Sequence, residues 1–204
     1  KPRVPQQAAP EVKPRSDDRI RQVRCYKLIT PLFGGGVQPN HADPITTVRG
    51  TEVRGHLRFW WRATCGGQFN GDLEKLRQKE EAIWGSAAAK GKPGPSGVTL
   101  AIETLKGGKP FPVVDKKGNP IKNIGDVKST YSYVAFPLRD DTSNPPVLQD
   151  VEFQLSICYP PEWQQDVEAA LWAWETFGGI GARTRRGFGA DRKSTRLNSS
   201  HRIR

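Results

Sequence analysis

Apolar side chains recur along this chain with two different periods, which predicts a mixture of strands and helices. Apolar or alternating runs bounded by turn residues predict strands near residues 23–29, 97–105, 131–138 and 151–159. Spacings of three and four predict amphipathic helices at residues 48–62, 73–84 and 161–177. The predicted order is therefore strand, helix, helix, strands, helix, and we expect one further strand after the last helix.

That order fits a ferredoxin-like βαββαβ unit, an α+β fold in which helices pack on one face of an antiparallel sheet. We expect this domain to span residues 19–190, with a turn-rich, basic loop or hairpin inserted at residues 106–128. Residues 1–18 are rich in Pro, Lys, Arg and Gln, which predicts a linker or a disordered leader. Ferredoxin-like folds commonly bind RNA, although a fold alone does not establish a function.

The first predicted helix carries both core residues and a row of arginines. We expect Thr51 to cap it, and its core-facing stripe to be Val53, Leu57, Trp60, Trp61 and Thr64. Arg54, Arg58 and Arg62 recur every fourth residue and lie along one edge. No acid alternates with them, an arrangement that suits a phosphate-bearing partner. The alternative is a helix edge whose arginines pair with acids from elsewhere in the chain.

The third predicted helix leads into residues 178–190, GGIGARTRRGFGA, where five glycines surround three arginines. Glycine lets a backbone pass close to a ligand, successive N–H groups can hold an anion, and arginine binds phosphate through two hydrogen bonds. We therefore predict a polyanion-binding loop. The alternative is a helix C-cap followed by a flexible basic turn. A second glycine run, within residues 31–44, indicates either a loop against a ligand or a hairpin end.

The overall charge favours a polyanionic partner such as nucleic acid. The 204 residues carry a formal charge of +11, and the pI is about 9.8. Cys25, Cys65 and Cys158 lack metal or disulfide spacing and indicate reduced intracellular thiols. No run of residues is long and apolar enough to span a membrane, so we expect a cytoplasmic protein without a membrane partner.

Two features predict that the sequence is a fragment. It contains no methionine. Residues 191–201, DRKSTRLNSSH, resemble the conceptual translation of a common sequencing adapter. We therefore expect residues 191–204 to be an artefact with no packed apolar side chains and no consistent structure, and we expect the final strand of the fold to be truncated.

Four motifs together resemble the RAMP superfamily of CRISPR-associated proteins. They are PLFGGG at 31–36, RGTEVRGHLRFWWR at 49–62, EEAIWGS at 80–86 and GGIGARTRRGFGA at 178–190. The second and the fourth look like motifs of the first-numbered subunit of the type III-B (Cmr) effector complex. The motifs are spread over most of residues 19–190, and they are specific only in combination.

The resemblance implies one RRM-like domain, without the second RAMP domain usual in that subunit. It implies a non-catalytic protein that binds guide RNA near its 3′ end, helps to engage target RNA and works beside other type III-B effector subunits in antiviral defence, with no cofactor. The implied RNA-contacting residues are Arg54, Arg58, Arg62, Gly178, Gly179, Gly181, Arg183, Arg185, Arg186, Gly187 and Gly189.

Enzymatic alternatives come from two other classes. A metal-independent endoribonuclease that processes guide RNA would use His41 or His56 as its general acid or base. His41 is close to Asp43 in sequence and would act with Tyr26 or Lys27, although no spacing demands it. A dinucleotide-binding enzyme is excluded, because its glycine motif opens a helix whereas here the helix precedes the glycines. No residue spacing suits zinc or a two-metal nuclease.

Overall fold

The computed structural model describes residues 18–34, 45–86, 95–139 and 147–193, which are built around a four-stranded sheet. The strands are β1 (Ile20–Leu28), β2 (Thr99–Pro110), β3 (Leu148–Tyr159) and β4 (Asp191–Lys193). Their order is β2-β3-β1-β4, and every neighbouring pair is antiparallel. The predicted α+β, ferredoxin-like fold class is therefore confirmed.

The helices are α1 (Gly50–Cys65), α2 (Leu73–Trp84) and α3 (Gln164–Phe177). One sheet face is apolar because alternate residues of β3 are buried, namely Val151, Phe153, Leu155, Ile157 and Tyr159. Buried side chains of α1 and α3 join the same core, at about 1.5–3 kcal/mol for each large one. No helix within the described residues is both long and apolar enough to cross a membrane.

Buried polar bonds orient α3 on the sheet. The Arg24 guanidinium on β1 is buried and pairs with the carboxylates of Glu168 at 2.6 Å and Glu175 at 2.9 Å. The Tyr26 hydroxyl donates to Glu175 at 2.7 Å. These partners offset the cost of removing a charge from water. Because α3 is held at both carboxylates, the loop that follows it starts from a defined position.

The strand predicted at residues 131–138 is absent, and turns and a short 3₁₀ helix, Phe136–Leu138, take its place. The buried residues there, Ala135 and Leu138, are three apart and pack in a separate small core. That spacing is helical, so the period and not the apolar content decided the local structure. Thr51 is not the cap of α1, since Arg49 holds that position.

The expectation that residues 191–204 would have no consistent structure is wrong for Asp191–Lys193. These residues form β4, which pairs with Tyr26, Lys27 and Leu28 of β1. Backbone groups at an open sheet edge pair with any extended segment, whatever its side chains. Residues 194–204 lie outside the described ranges.

Candidate nucleic-acid interface

The two glycine motifs of the sequence meet in the structure. Residues 178–190, the glycine loop, fold back onto the segment that follows β1. The Ala182 N–H donates to the Phe33 carbonyl at 2.8 Å, and the Gly189 N–H donates to the Pro31 carbonyl at 2.8 Å. The sheet order explains the meeting, because β1 is the neighbour of β4 and the chain enters β4 from this loop.

Packing within the protein requires glycine at Gly181 and Gly189 of the loop. Gly181 has a φ of 86°, and a Cβ there would lie 2.5 Å from Cδ1 of Leu32 and 2.7 Å from the Phe33 carbonyl oxygen. A Cβ on Gly189 would lie 1.7 Å from the carbonyl oxygen of Ile180. A Cβ on Gly187, by contrast, would have no described atom within 4 Å. Ligand contact by the predicted glycines, Gly178 and Gly179 included, stays a prediction.

One flank of α1 supports the glycine loop. The Glu52 carboxylate accepts a hydrogen bond from the Gly181 N–H. His56, one turn later, lies near the backbone of Gly179, and its Nδ1 is buried without a hydrogen-bond partner among the described residues. Burial raises the pKa of Glu52, against the opposing effects of the Gly181 bond and the Arg49 charge. Burial lowers the pKa of His56, against the opposing effect of the Gly179 backbone. His56 therefore lies where it can position the loop.

The three loop arginines have no acidic partner among the described residues. Arg183, Thr184, Arg185 and Arg186 line an open depression of about 780 Å³. Positive charge that no carboxylate neutralises is available to an anionic ligand. This is the strongest feature of the candidate interface, and the sequence predicted its residues.

Two exposed aromatic residues beside the arginines were missed by the sequence analysis. The Arg183 guanidinium lies 4.7 Å from the ring centre of Phe136, and that of Arg186 lies 5.6 Å from the ring centre of Tyr133. Both rings belong to the stretch that was predicted as a strand. The spacing of its apolar residues is the signal that indicates a helical turn instead.

The arginine edge of α1 lies on the other flank of that helix from the glycine loop. Nε of Arg58 and Nη1 of Arg62 both donate to Oε1 of Glu80 at 2.6 Å. Nη1 of Arg54 donates to Oγ of Ser96 at 2.8 Å, and burial, followed by the Arg58 charge, lowers the pKa of Arg54. Arg58 and Arg62 therefore pair with an acid from elsewhere in the chain, which is the alternative that the sequence left open for this helix edge.

The arginine edge nevertheless keeps a net positive charge. Glu80 is one carboxylate shared by two arginines, whose side chains are 33% and 44% exposed. RNA contact by Arg54, Arg58 and Arg62 stays a prediction, and the structure does not bring these residues to the glycine loop.

The residues of the endoribonuclease alternative are not assembled within the described chain. His41 and Asp43 lie outside the described residues. Tyr26 is 1% exposed and bonded to Glu175, so burial, followed by the Glu175 charge, raises its pKa well above the usual value. Lys27 pairs with Glu152 at 3.8 Å.

A family model described as the RAMP superfamily matches residues 25–190 of this chain. Two relatives from Pyrococcus furiosus are similar in sequence. CRISPR system Cmr subunit Cmr1-2 is 27% identical over 188 residues, which cover 80% of this chain and 90% of that relative. Cmr subunit Cmr1-1 is 26% identical over 144 residues, which cover 70% of this chain and 39% of that relative.

Solved structures share the fold. The crystal structure of Cmr1 from Pyrococcus furiosus in its apo form matches with a TM-score of 0.60 and 24% identity, over 86% of this chain and 50% of that one. A chain of the type III-B Cmr-beta complex bound to cognate target RNA and AMPPnP matches with a TM-score of 0.51 and 19% identity, over 87% of this chain and 55% of that one. This chain therefore spans about half the length of those two solved chains.

Proposed function

Since this chain belongs to the RAMP superfamily, we propose that it is a non-catalytic, RNA-binding subunit of a type III-B CRISPR effector complex. In this role it binds guide RNA near its 3′ end, contacts target RNA and works beside other effector subunits in antiviral defence. Support comes from the two relatives named as Cmr subunits and from the fold shared with a complex solved on target RNA.

The observation that carries the proposal is the charge on the glycine loop. Arg183, Arg185 and Arg186 lie around one open depression without an acidic partner among the described residues. Hydrogen bonds to Pro31 and Phe33 hold the loop, so these arginines start from a restricted set of positions. A preorganised cluster of guanidinium groups suits phosphates, because each can donate two parallel hydrogen bonds.

The test is single-stranded RNA binding across a salt series. Each phosphate contact adds about −0.7 to the slope of log K against log salt concentration, through counterion release. Changing Arg183, Arg185 and Arg186 to alanine is therefore expected to weaken binding and to flatten the slope by about 2 units. Folding is expected to be unchanged, since these side chains bury little apolar surface.

A matched control removes three charges elsewhere. Lys116, Lys117 and Lys122 are exposed on the inserted segment, and their triple alanine variant has the same net charge as the loop variant. We expect a much smaller change in slope for this control. Equal slopes for the two variants would leave only non-specific attraction to a basic protein and would remove the loop from the interface.

The position on the guide needs the assembled complex. A photoreactive nucleotide placed at either end of the guide RNA is expected to crosslink to this subunit only from the 3′-proximal position. Crosslinks only from the 5′ end would contradict the proposed orientation while leaving RNA binding intact.

A further inference from the structure

We propose that Tyr133 and Phe136 form a base-stacking platform, so that single-stranded RNA is held at this site by nucleobase stacking together with phosphate contacts. This inference rests on the proposed RNA-binding function and specifies how the same site takes its ligand. It concerns two side chains that the motifs of the sequence do not include.

The first observation is that both rings are exposed on a short, well-packed turn. Tyr133 is 74% exposed and Phe136 is 56% exposed, whereas the neighbouring Ala135 and Leu138 are fully buried. The turn is therefore anchored by its buried residues, and the two rings contribute little to that anchoring. Large aromatic side chains that remain in water are available to a partner with a flat apolar surface.

The second observation is that a separate small core joins this turn to the glycine loop. Its buried members are Phe33, Ile124, Ala135, Leu138, Val147 and Phe188. Phe188 belongs to the glycine loop and packs edge-on against Phe33, with 5.7 Å between ring centres. The shared core therefore fixes the position of the two rings relative to the loop arginines.

The third observation is that each ring already has a guanidinium group beside it. Arg183 lies over Phe136, and Arg186 lies over Tyr133 and also donates to its hydroxyl at 3.4 Å. Guanidinium planes and nucleobases both stack on aromatic faces. Arg185 lies between these two arginines in the glycine loop, where it is exposed and has no acidic partner among the described residues.

These features together select the chemistry of the ligand. A phosphate group alone would contact the arginines but not the aromatic rings. An acidic peptide has carboxylates but does not carry a planar group that can stack at every residue. Single-stranded RNA supplies both a phosphate and an unstacked base at every nucleotide. A duplex keeps its bases stacked on each other, so it cannot use the rings. Stacking of this kind has little preference for one base over another.

The experiment compares Tyr133→Ala and Phe136→Ala with the unchanged full chain on a single-stranded oligouridine. Stacking is worth about 1–3 kcal/mol per base, so each substitution is expected to weaken binding by about 5- to 150-fold. The salt slope is expected to stay the same, because no phosphate contact is lost. Tyr133→Phe keeps the ring and is expected to bind within about twofold of the unchanged chain. Trp172→Ala, which removes a 59% exposed ring from α3, is the matched control and is expected to bind normally.

A modified RNA provides a second, independent arm. An oligonucleotide with abasic sites keeps its phosphates and lacks bases, so the unchanged chain is expected to bind it more weakly than it binds RNA with bases. Tyr133→Ala is expected to bind the abasic oligonucleotide as tightly as the unchanged chain does. Photocrosslinking of 5-iodouridine RNA to the unchanged chain, mapped by mass spectrometry, is expected to mark Tyr133 or Phe136. This measurement needs no substitution and covers the case in which a variant fails to fold.

The outcomes separate this inference from the function on which it rests. If the unchanged chain binds RNA with a steep salt slope and both alanine variants bind RNA as tightly as the unchanged chain, the stacking proposal is wrong and the proposed function stands. Crosslinks confined to other residues also overturn the platform. If the unchanged chain does not bind RNA, the proposed function and the platform both fail. Equal affinity for duplex and single-stranded RNA would reduce the site to a phosphate clamp.

Discussion

At the scale of single residues, Arg183 has a strained backbone conformation within the candidate interface. Its φ is 60°, in the left-handed region that costs a residue with a Cβ about 1–2 kcal/mol. Glycines fill several similar positions nearby, yet this one holds an arginine. The strain has a local reason if the side chain has a role in binding, since it turns the guanidinium toward Phe136.

Arg183→Gly is therefore expected to separate stability from binding. The free energy of unfolding should stay the same or rise by up to about 1 kcal/mol, since glycine relieves the strain but makes the unfolded chain more flexible. RNA affinity should fall, with a salt slope flatter by about 0.7. Asn70→Gly, which changes another residue at positive φ between α1 and α2, is the control and should affect stability only. Loss of stability without loss of affinity in Arg183→Gly would show that the strain serves packing.

Asp191 is a buried carboxylate without a hydrogen-bond donor among the described residues. Burial, followed by the charge of Glu175, raises its pKa to about 7. The pKa in the unfolded chain is about 3.9, so the folded state binds the proton more tightly. Stability is therefore lost as the pH rises from about 4 to about 7, and the loss is constant above that range.

Asp191→Val is expected to remove this pH dependence. At pH 8 the variant should be more stable by up to about 4 kcal/mol, and at pH 4 the difference in free energy of unfolding should be small. Denaturant unfolding of both proteins between pH 4 and pH 8 measures the effect. Glu103→Val, which removes an exposed carboxylate from β2, is the control and should not alter the pH dependence. A constant difference at all pH values would contradict the raised pKa.

At the scale of elements, α1 is the helix that holds both candidate surfaces. One flank carries Glu52, which bonds to the glycine loop, and His56, which lies near Gly179 of that loop. The other flank carries the arginine edge, in which Arg58 and Arg62 bond to Glu80 of α2. Between the two flanks, Val53, Leu57 and Trp61 are fully buried, and the Trp61 indole donates to Asp166 of α3 at 2.8 Å. The buried stripe therefore separates the two surfaces and fixes both.

Glu80→Gln is expected to test the arginine edge. The substitution keeps an oxygen acceptor but removes the charge that Arg58 and Arg62 share, at a cost of about 1–2 kcal/mol in stability. If the edge faces RNA, freeing that positive charge should raise RNA affinity a few-fold and steepen the salt slope. We expect this rise. Glu81→Gln, which frees only Arg77, is the neighbouring control. Unchanged affinity in Glu80→Gln would assign the arginines to the α1–α2 contact alone.

At the scale of the whole molecule, the sheet order assembles the interface from distant parts of the chain. β1 lies between β3 and β4, so the segment that leaves β1 and the loop that enters β4 are neighbours. The segment inserted between β2 and β3 then packs on both through its small core. A site assembled in this way depends on the folded domain, and unfolding should abolish arginine-dependent RNA binding in the same transition.

The full chain is expected to bind single-stranded RNA without cutting it in the absence of metal. His41→Ala is expected to leave affinity unchanged. His56→Ala is expected to weaken affinity a few-fold, because the buried imidazole lies near the backbone of Gly179 in the glycine loop. Gel analysis of end-labelled RNA over several hours measures both properties. Cleavage products that appear with the unchanged chain and are lost in either variant would favour the endoribonuclease alternative.

The sequence by itself determined the elements whose apolar spacing is regular. α2 has the predicted bounds, β3 contains the predicted strand, and the glycine loop follows α3 as expected. Alternate residues of β3 are buried from Val151 to Tyr159, and a face that is buried over such a length leaves its period in the sequence. In α2 the buried apolar residues are only Ile83 and Trp84, near its end. The glycine loop and its arginines are also visible in the sequence, since charge and glycine content are local properties, whereas contact of these arginines with RNA stays a prediction.

Only the tertiary structure decided which groups meet. Glu80 is distant in sequence from Arg58 and Arg62, and Tyr133 is distant from Arg186, so no local pattern records these pairs. The turn at Tyr133 was predicted as a strand from its apolar content, although its buried residues, Ala135 and Leu138, are three apart as in a helical turn. Its conformation follows from the small core under it, whose members come from separate stretches of the chain. Sequence determines what a segment can bury, and the sheet order decides what it is buried against.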